Sequence, residues 1–491
     1  MPSCPSVTSA NRFLSSLLRV GLSGAGAQAV TFLALPLLSR LYSPESFGVW
    51  ALVQSSALLL GALATCRYEL AVVLPKQHEV AARVMVLGVF LATGVAFLAF
   101  LLIRVLKGEG LIGLSGPLVW AIPPLILLSA LTQLALAWCT RMDAFTLYGG
   151  AQLGLAILAG VLPALMVVQW PDATGLVLGT LSANILINLV LWVWVARQFV
   201  RLELGQQLSV SGLLTVAKAY RAYPLYMMPY TMLGSVRDRA VYFLLGTYYG
   251  AAEVGLYSMA QRLSNAPNSL VASALRPVFF QHALHSSPRK IAWLAEQVMR
   301  WLVAVVVPPA VFFFFYPEYL LSMVFGAAWA SASNYVMILS VSMFPLMLGN
   351  WMDRYLDVLG RQSLALVMEL IFSALAVAVL AAVFWGGGSA VVAVACQAAV
   401  MAVYFTVWMV VVFRAAQISY VFLLHIFGLA VTLAVVCGVI VAAGALLMEF
   451  NGATIALLLV WAPNLYWTYI RMRVNWPSDQ VSVNAEAKPH T

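Results

Sequence analysis

Charge is scarce in this chain: only 9% of its 491 residues are Asp, Glu, Lys or Arg, against roughly 25% in soluble globular domains. With 63% of the residues hydrophobic, no water-facing surface can cover the apolar remainder, which excludes a soluble enzyme or soluble binding module. The five cysteines, Cys4, Cys66, Cys139, Cys396 and Cys437, make no Cys-x-x-Cys or Cys/His ligand spacing. All but Cys4 lie in or at the end of apolar segments, so packing is their expected role and no metal site is expected. A Gly-x-x-x-x-Gly-Lys-Ser/Thr loop is missing too, which argues against ATP hydrolysis by this chain and leaves no cofactor motif. The net charge of +9 would suit nucleic acid only as a basic patch on a soluble surface, and none is visible. The stretch from Asn11 to Leu41 is too long for a signal-peptide core and lacks a small-residue cleavage pattern, so it reads as a first span.

Long apolar runs are what the chain does have. Windows bounded by charged or Gly/Pro/Asn-rich breaks place spans near 13–39, 47–66, 82–103, 117–138, 145–169, 174–196, 222–246, 252–280, 293–316, 330–352, 363–385, 389–413, 420–447 and 453–470. The expectation is an all-α polytopic membrane protein with about 14 transmembrane helices. Residues 1–200 form a first six-helix half, 201–221 a cytoplasmic linker and 222–414 a second half. Two additional helices occupy 415–474, and 475–491 is a polar, disordered tail. Within the linker, Val210–Lys218 reads as an amphipathic helix on the membrane surface. A short interfacial piece is expected at Tyr319–Phe325.

An even number of spans puts both termini on one side. Most of the 26 basic residues fall in the segments on the side of the N-terminus, while the opposite connections hold only Arg40, Arg104 and Lys107, so both termini are expected in the cytoplasm. The aromatic run Phe312–Tyr316 and the 15 tryptophans suit lipid-facing and interfacial positions.

The segment from Arg40 to Lys76 organises the rest. Arg40-Leu41-Tyr42-Ser43-Pro44-Glu45-Ser46-Phe47-Gly48 is a turn feeding a helix: Ser43 or Ser46 can cap it, Pro44 suits its first turn and Glu45 complements its dipole. Phe47 to Cys66 is then 20 residues without a charge. A partial copy follows 207 positions later, where Tyr42 and Phe47-Gly48-Val49-Trp50-Ala51-Leu52-Val53-Gln54 match Tyr249 and Val254-Gly255-Leu256-Tyr257-Ser258-Met259-Ala260-Gln261 without a gap. Two related halves around a central site are a common transporter plan.

The Arg-Leu-Tyr-Ser-Pro-Glu-x-Phe-Gly turn and the Arg67-Tyr68-Glu69-Leu70-Ala71-Val72-Val73-Leu74-Pro75 run resemble bacterial polysaccharide-biosynthesis flippases of the Wzx type, within a superfamily that also holds MATE drug exporters and lipid II flippases. The likeness is most specific over residues 12–85 and fair over 230–282. It implies an inner-membrane protein that moves undecaprenyl-pyrophosphate-linked oligosaccharides from the cytoplasmic to the periplasmic leaflet for O-antigen, capsule or exopolysaccharide. It also implies an ion gradient or membrane potential as energy source, and a polysaccharide polymerase and chain-length regulator as neighbours in the same membrane.

Four arginines inside the seventh and eighth spans carry the functional signal: Arg237, Arg239, Arg262 and Arg276. At 1.5 Å rise, Arg262 lies about 15 Å into its span, where a charge costs roughly 2.5–3.5 kcal/mol on insertion scales. Ser258, Arg262, Asn265, Ser269, Ser273 and Arg276 share one helical face. That stripe reads as a cavity wall, the alternative being a helix–helix seam joined by Ser and Asn. Pro267 on the same helix is expected to kink it. Arg237 and Arg239 point to nearly opposite sides, so one is expected to face the cavity while the other pairs with Asp238 or with another helix; a purely structural ion-pair cluster is the alternative. Asp238 is the candidate for ion coupling.

The first half offers Arg19 with Ser23 and Gly26 on one span, and Gln54, Gly61, Thr65 and Glu69 on one face of the next; Arg19 reads equally as a substrate contact or an interfacial anchor. Asp353, Arg354, Asp357 and Arg361 follow Asn350 as a charge-paired helix end or a cytoplasmic gate. Arginine keeps its charge and offers a planar fork of donors matched to phosphate oxygens. Three rivals remain at this stage. A MATE-type drug exporter would favour carboxylates in its cavity, a lipid II-type flippase shares the helix plan, and a glycan polymerase or ligase would need a sizeable periplasmic segment.

Overall fold

The structure is a computed structural model that describes residues 7–106, 116–204, 209–285, 288–352, 356, 361–415, 419 and 421–443, with the backbone alone for 7–22, 62, 273–274, 277–278, 280–285, 288–292 and 362. All regular structure among these residues is helical. The long helices are α1 (Val7–Leu41) and α2 (Pro44–Ala64), then, past the single turn α3 (Tyr68–Ala71), α4 (His78–Val105), α5 (Ile122–Arg141), α6 (Phe145–Met166) and α7 (Ala173–Arg201). After the short α8 (Val210–Ala219) come α9 (Met228–Tyr248), α10 (Ala251–His285) and α11 (Pro288–Phe315). The short α12 (Pro317–Phe325) precedes α13 (Ala332–Gly349), α14 (Gln362–Trp385), α15 (Ala390–Ala415) and α16 (Val421–Ala443). Nine helices among the described residues are long and apolar enough to cross a membrane. The expected last span, 453–470, lies outside the described residues.

Contacts divide the chain into two compact units, Met1–Ser286 with Pro317–Ala415, and Ser287–Tyr316 with Ala416–Thr491. In the smaller unit α11 packs on α16: Val441 is buried against Phe312 and Tyr316, and Arg300 lies over the Phe422 ring at 5.9 Å.

The larger unit repeats one packing scheme. α1 packs on α6, α6 on α7, α2 on α5 and α5 on α7; in the second half α9 packs on α14, α14 on α15, α10 on α13 and α13 on α15. The halves are joined along α2 and α10. Their starts cross backbone to backbone: a methyl group at Gly48 would overlap the Ala251 carbonyl, and one at Gly255 would overlap the Pro44 carbonyl. These glycines are equivalent in the sequence repeat, and only a residue without Cβ permits the approach. The repeat-equivalent tyrosines also match in role, Tyr42 donating to the Pro163 carbonyl at 2.7 Å and Tyr249 to the Gly388 carbonyl.

Local chemistry explains the helix ends. Ser43 caps α2, its hydroxyl accepting from the Ser46 amide at 3.2 Å. Arg40 donates to the carbonyls of Met323 and Val324 at the end of α12, at 2.6 and 3.3 Å, which satisfies acceptors the helix leaves open. Trp329 donates to the Ser39 carbonyl at 2.8 Å and its ring meets Phe47 edge-on at 4.9 Å. Trp138, Trp329 and Trp351 are fully buried, so the lipid-facing and interfacial placement expected of the tryptophans does not hold for them.

The second span ends earlier than expected. Cys66 and Arg67 adopt left-handed backbone conformations with φ of 48° and 63°, which stops α2 at Ala64 and turns the chain back. Glu69 therefore does not continue the face of Gln54; it accepts from the Thr65 hydroxyl and from Arg67, the latter at 3.0 Å. Arg141 ties down the run that follows by donating to the Pro75 carbonyl at 2.6 Å. α8 packs on α4, and Tyr68 donates to the Ala217 carbonyl within it at 3.1 Å. α10 runs unbroken through Pro267, whereas Tyr223–Met227, ahead of α9, is a π-helical turn beside Pro224 and Pro229, which withhold backbone donors.

Candidate functional site

Two polar cavities adjoin α10 in the larger unit. The first, of about 510 Å³, is walled by α1, α2, α5, α6 and α7 and completed by Arg239 and Tyr242 of α9 and Gln261, Arg262 and Asn265 of α10. Among the described residues its lining contains no carboxylate; the amides of Gln28, Gln54, Gln133 and Asn184 and several Ser and Thr hydroxyls supply the remaining polar groups. Gln54 and Gln261 are repeat-equivalent, so each half contributes the same amide.

The two arginines of this cavity are held by aromatic faces. The Arg262 guanidinium lies 4.1 Å from the centre of the Trp50 ring, and that of Arg239 5.7 Å from the centre of Tyr242. Trp50 is anchored by its indole N–H on Thr180 at 3.0 Å, and Tyr242 by its hydroxyl on Gln261 at 3.0 Å. Among the described residues neither arginine forms an ion pair. Stacking orders a guanidinium while leaving its in-plane donors unused. The first cavity therefore carries two uncompensated positive charges.

The second cavity, of about 320 Å³, lies between α9, α10, α13 and α15, and it shares Gln261 and Asn265 with the first. Arg237 and Asp238 line it, but here the charge is spent. Arg237 donates through Nε to Asp238 at 2.9 Å and through Nη1 to Glu369 of α14 at 2.6 Å. Glu369 also accepts from Ser373 at 3.0 Å and from Tyr404 at 2.6 Å. Its side chain is 6% exposed, and three hydrogen-bond donors, Arg237, Ser373 and Tyr404, converge on it. The arrangement satisfies a buried ion pair that would otherwise be costly.

The remaining sequence candidates are distributed as follows. Arg237 and Arg239 face different cavities, with Arg237 tied to Asp238 and to another helix. Arg262 and Asn265 line the first cavity, but the stripe to which they belong does not stay with it. Ser258 bonds back to the Gly255 carbonyl and Ser269 to that of Ala266, both at 2.9 Å, and Ser269 lines neither cavity. Arg276 donates to the Asn350 side chain at 3.0 Å; Asn350 donates to Asn268 at 3.2 Å and Asn268 to Asn265 at 2.9 Å. That chain of amides pins α10 to the end of α13. Only the backbone of Arg19 and Ser273 is described. Asp353, Arg354 and Asp357 lie outside the described residues, and Arg361 is exposed at the start of α14.

Sequence reasoning missed Glu369, Trp50, Tyr404 and Gln397. Glu369 had a readable signal, a lone carboxylate inside an apolar run, which a membrane span keeps only where it has a partner. Trp50 had none, because a tryptophan in a span suits lipid equally well. No group of three or more His, Cys, Asp and Glu that could hold a metal occurs among the described residues.

Comparison with known proteins gives three findings. A family model described as "Polysaccharide biosynthesis protein" matches residues 37–334. The succinoglycan biosynthesis transport protein ExoT of Rhizobium meliloti (strain 1021) is 27% identical over 419 residues, covering 80% of this chain and 78% of that protein. Among solved structures, the lipid II flippase MurJ in an inward closed conformation superposes with a TM-score of 0.69 at 10% identity over 92% of this chain and 99% of that one. An inward-facing multidrug-resistance MATE family transporter of the MOP superfamily gives 0.51 at 14% identity over 84% and 94%. The helical fold of the described residues is thus shared with these two transporters.

Proposed function

Since the chain belongs to the polysaccharide biosynthesis protein family, we propose that it is a flippase for undecaprenyl-pyrophosphate-linked oligosaccharide repeat units, carrying them from the cytoplasmic to the periplasmic leaflet of the inner membrane, with both termini cytoplasmic. The observation that carries this reading is the first cavity, with Arg239 and Arg262 in its lining and no carboxylate. A pyrophosphate needs cationic donors that are ordered yet uncommitted, and planar guanidinium forks match its oxygens. The same lining is unsuited to a cationic drug.

The two halves, 1–200 and 222–414, would rock about the cavity while the prenyl tail stays in lipid. Arg237, already neutralised, serves to hold α9 to α14. Asp238, the candidate for ion coupling, shares that guanidinium with Glu369, and a proton or sodium ion would act there by loosening it. A polymerase and a chain-length regulator in the same membrane would take up the product.

The test is a deletion strain in which lipid-linked sugars are identified by mass spectrometry and leaflet-selective labelling. Complete repeat units should accumulate on the cytoplasmic side, and Arg262→Ala should fail to restore surface glycan at normal protein abundance. Single units piling up on the periplasmic side would instead make the protein a polymerase or ligase, and restored glycan with Arg262→Ala would remove that residue from the path.

A further inference from the structure

The two cavities differ in charge although they share part of one wall. In the first, the two arginines have only aromatic partners among the described residues. In the second, one arginine faces two carboxylates, so an anion entering it finds no free cation and meets Asp238, whose side chain is half exposed. What the second cavity does offer is the Gln397 side chain. That residue is 6% exposed and lines the cavity, and its amide has no hydrogen-bond partner among the described residues. Trp408 and Phe405 line the wall on the same helix, α15. An amide donates and accepts, which is what a hydroxyl requires, and ring faces suit the C–H faces of a pyranose.

We propose that the second cavity is a subsite for an uncharged sugar, the one joined directly to the pyrophosphate held in the first. This rests on the anion-binding reading of the first cavity. The shared residues Gln261 and Asn265 put the two subsites side by side, in the order in which pyrophosphate and first sugar follow one another in a lipid-linked oligosaccharide. Asp238 disfavours a uronic acid at that position by like-charge repulsion in a weakly hydrated site. The outcome is a selection rule at the first sugar: a neutral residue is accepted and an acidic one rejected.

The full-length protein in nanodiscs would be titrated with undecaprenyl pyrophosphate, with its glucosyl and glucuronosyl derivatives, and with free glucose. The glucosyl lipid should bind about tenfold tighter than the bare lipid, as one added hydrogen bond and ring contact allow, while the glucuronosyl lipid gains nothing and free glucose does not bind. Gln397→Leu, and independently Trp408→Leu, should remove the glucosyl gain and leave bare-lipid affinity unchanged; unaltered thermal unfolding certifies each variant. A gain that survives both substitutions, or an equal gain for glucuronosyl lipid, would overturn the sugar subsite. If bare undecaprenyl pyrophosphate fails to bind, or binds Arg262→Ala equally well, the anion reading of the first cavity fails instead, and the sugar subsite falls with it.

Discussion

Arg262 and Trp50 are stacked, guanidinium over indole, with 4.1 Å between the guanidinium carbon and the ring centre. They belong to different halves of the chain, so the pair spans the junction of α2 and α10. Arg237 is held in another way, by two carboxylates at 2.9 and 2.6 Å. A carboxylate orders an arginine and cancels it; an aromatic face orders it and leaves the charge to the cavity.

Trp50 should therefore control anion affinity without touching the anion. A cation–π contact contributes roughly 0.5–2 kcal/mol, so Trp50→Leu should weaken undecaprenyl pyrophosphate binding by about two- to thirty-fold. Trp50→Phe keeps a face but loses the indole N–H on Thr180, and should fall between. Arg262→Lys should resemble Arg262→Ala more than wild type, since an ammonium neither stacks as a plane nor presents a fork. Equal lipid affinity for Trp50→Leu and wild type in a titration would remove the stack from the mechanism.

Glu369 should matter first for stability. Glu369→Ala leaves Arg237 with Asp238 alone, so the loss should approach, without reaching, the roughly 3–5 kcal/mol that an unpaired buried charge costs. Thermal unfolding in detergent should show a large drop for that variant. Removing both partners together, as Arg237→Leu with Glu369→Leu, should recover most of the loss. A double variant as unstable as Glu369→Ala would mean that the network is needed for more than its own charge balance.

The sequence made some of this legible and left other parts hidden for identifiable reasons. The repeat was readable because Gly48 and Gln54 recur as Gly255 and Gln261, and these are positions where the halves meet or face the cavity. The divergence of Arg237 and Arg239 followed from 100° per residue on a helix. Periodicity gives direction on one helix, however, and not the identity of the neighbour. α10 is 35 residues long and meets a cavity near Arg262 but α13 near Arg276, so its single polar stripe serves two purposes. The partner of Arg237 lies 132 residues away, beyond any local pattern. The turn at Cys66 and Arg67 was hidden because left-handed backbone at such residues carries no compositional mark.

The glycine crossing makes the sharpest mechanical prediction. Gly48 and Gly255 hold α2 and α10 in backbone contact at the end where the α1–α2 and α9–α10 connections lie, and Arg40, Ser39 and Trp329 brace the same end through α12 and the turn after it. In Gly48→Ala the new methyl meets a carbonyl of the other half, which cannot rotate away as a side chain would. The helices must separate, at an overpacking cost of about 1–3 kcal/mol, enough to shift a two-state equilibrium by about five- to 150-fold. The measurement is the distance between spin labels on Glu45→Cys and Ala252→Cys, exposed repeat-equivalent positions, in a background without the native cysteines. Gly48→Ala should lengthen and broaden that distance and lower glycan export at normal abundance. An unchanged distance with normal export would mean that the crossing tolerates a side chain and that closure of this end is set elsewhere, by the Arg40 and Trp329 contacts.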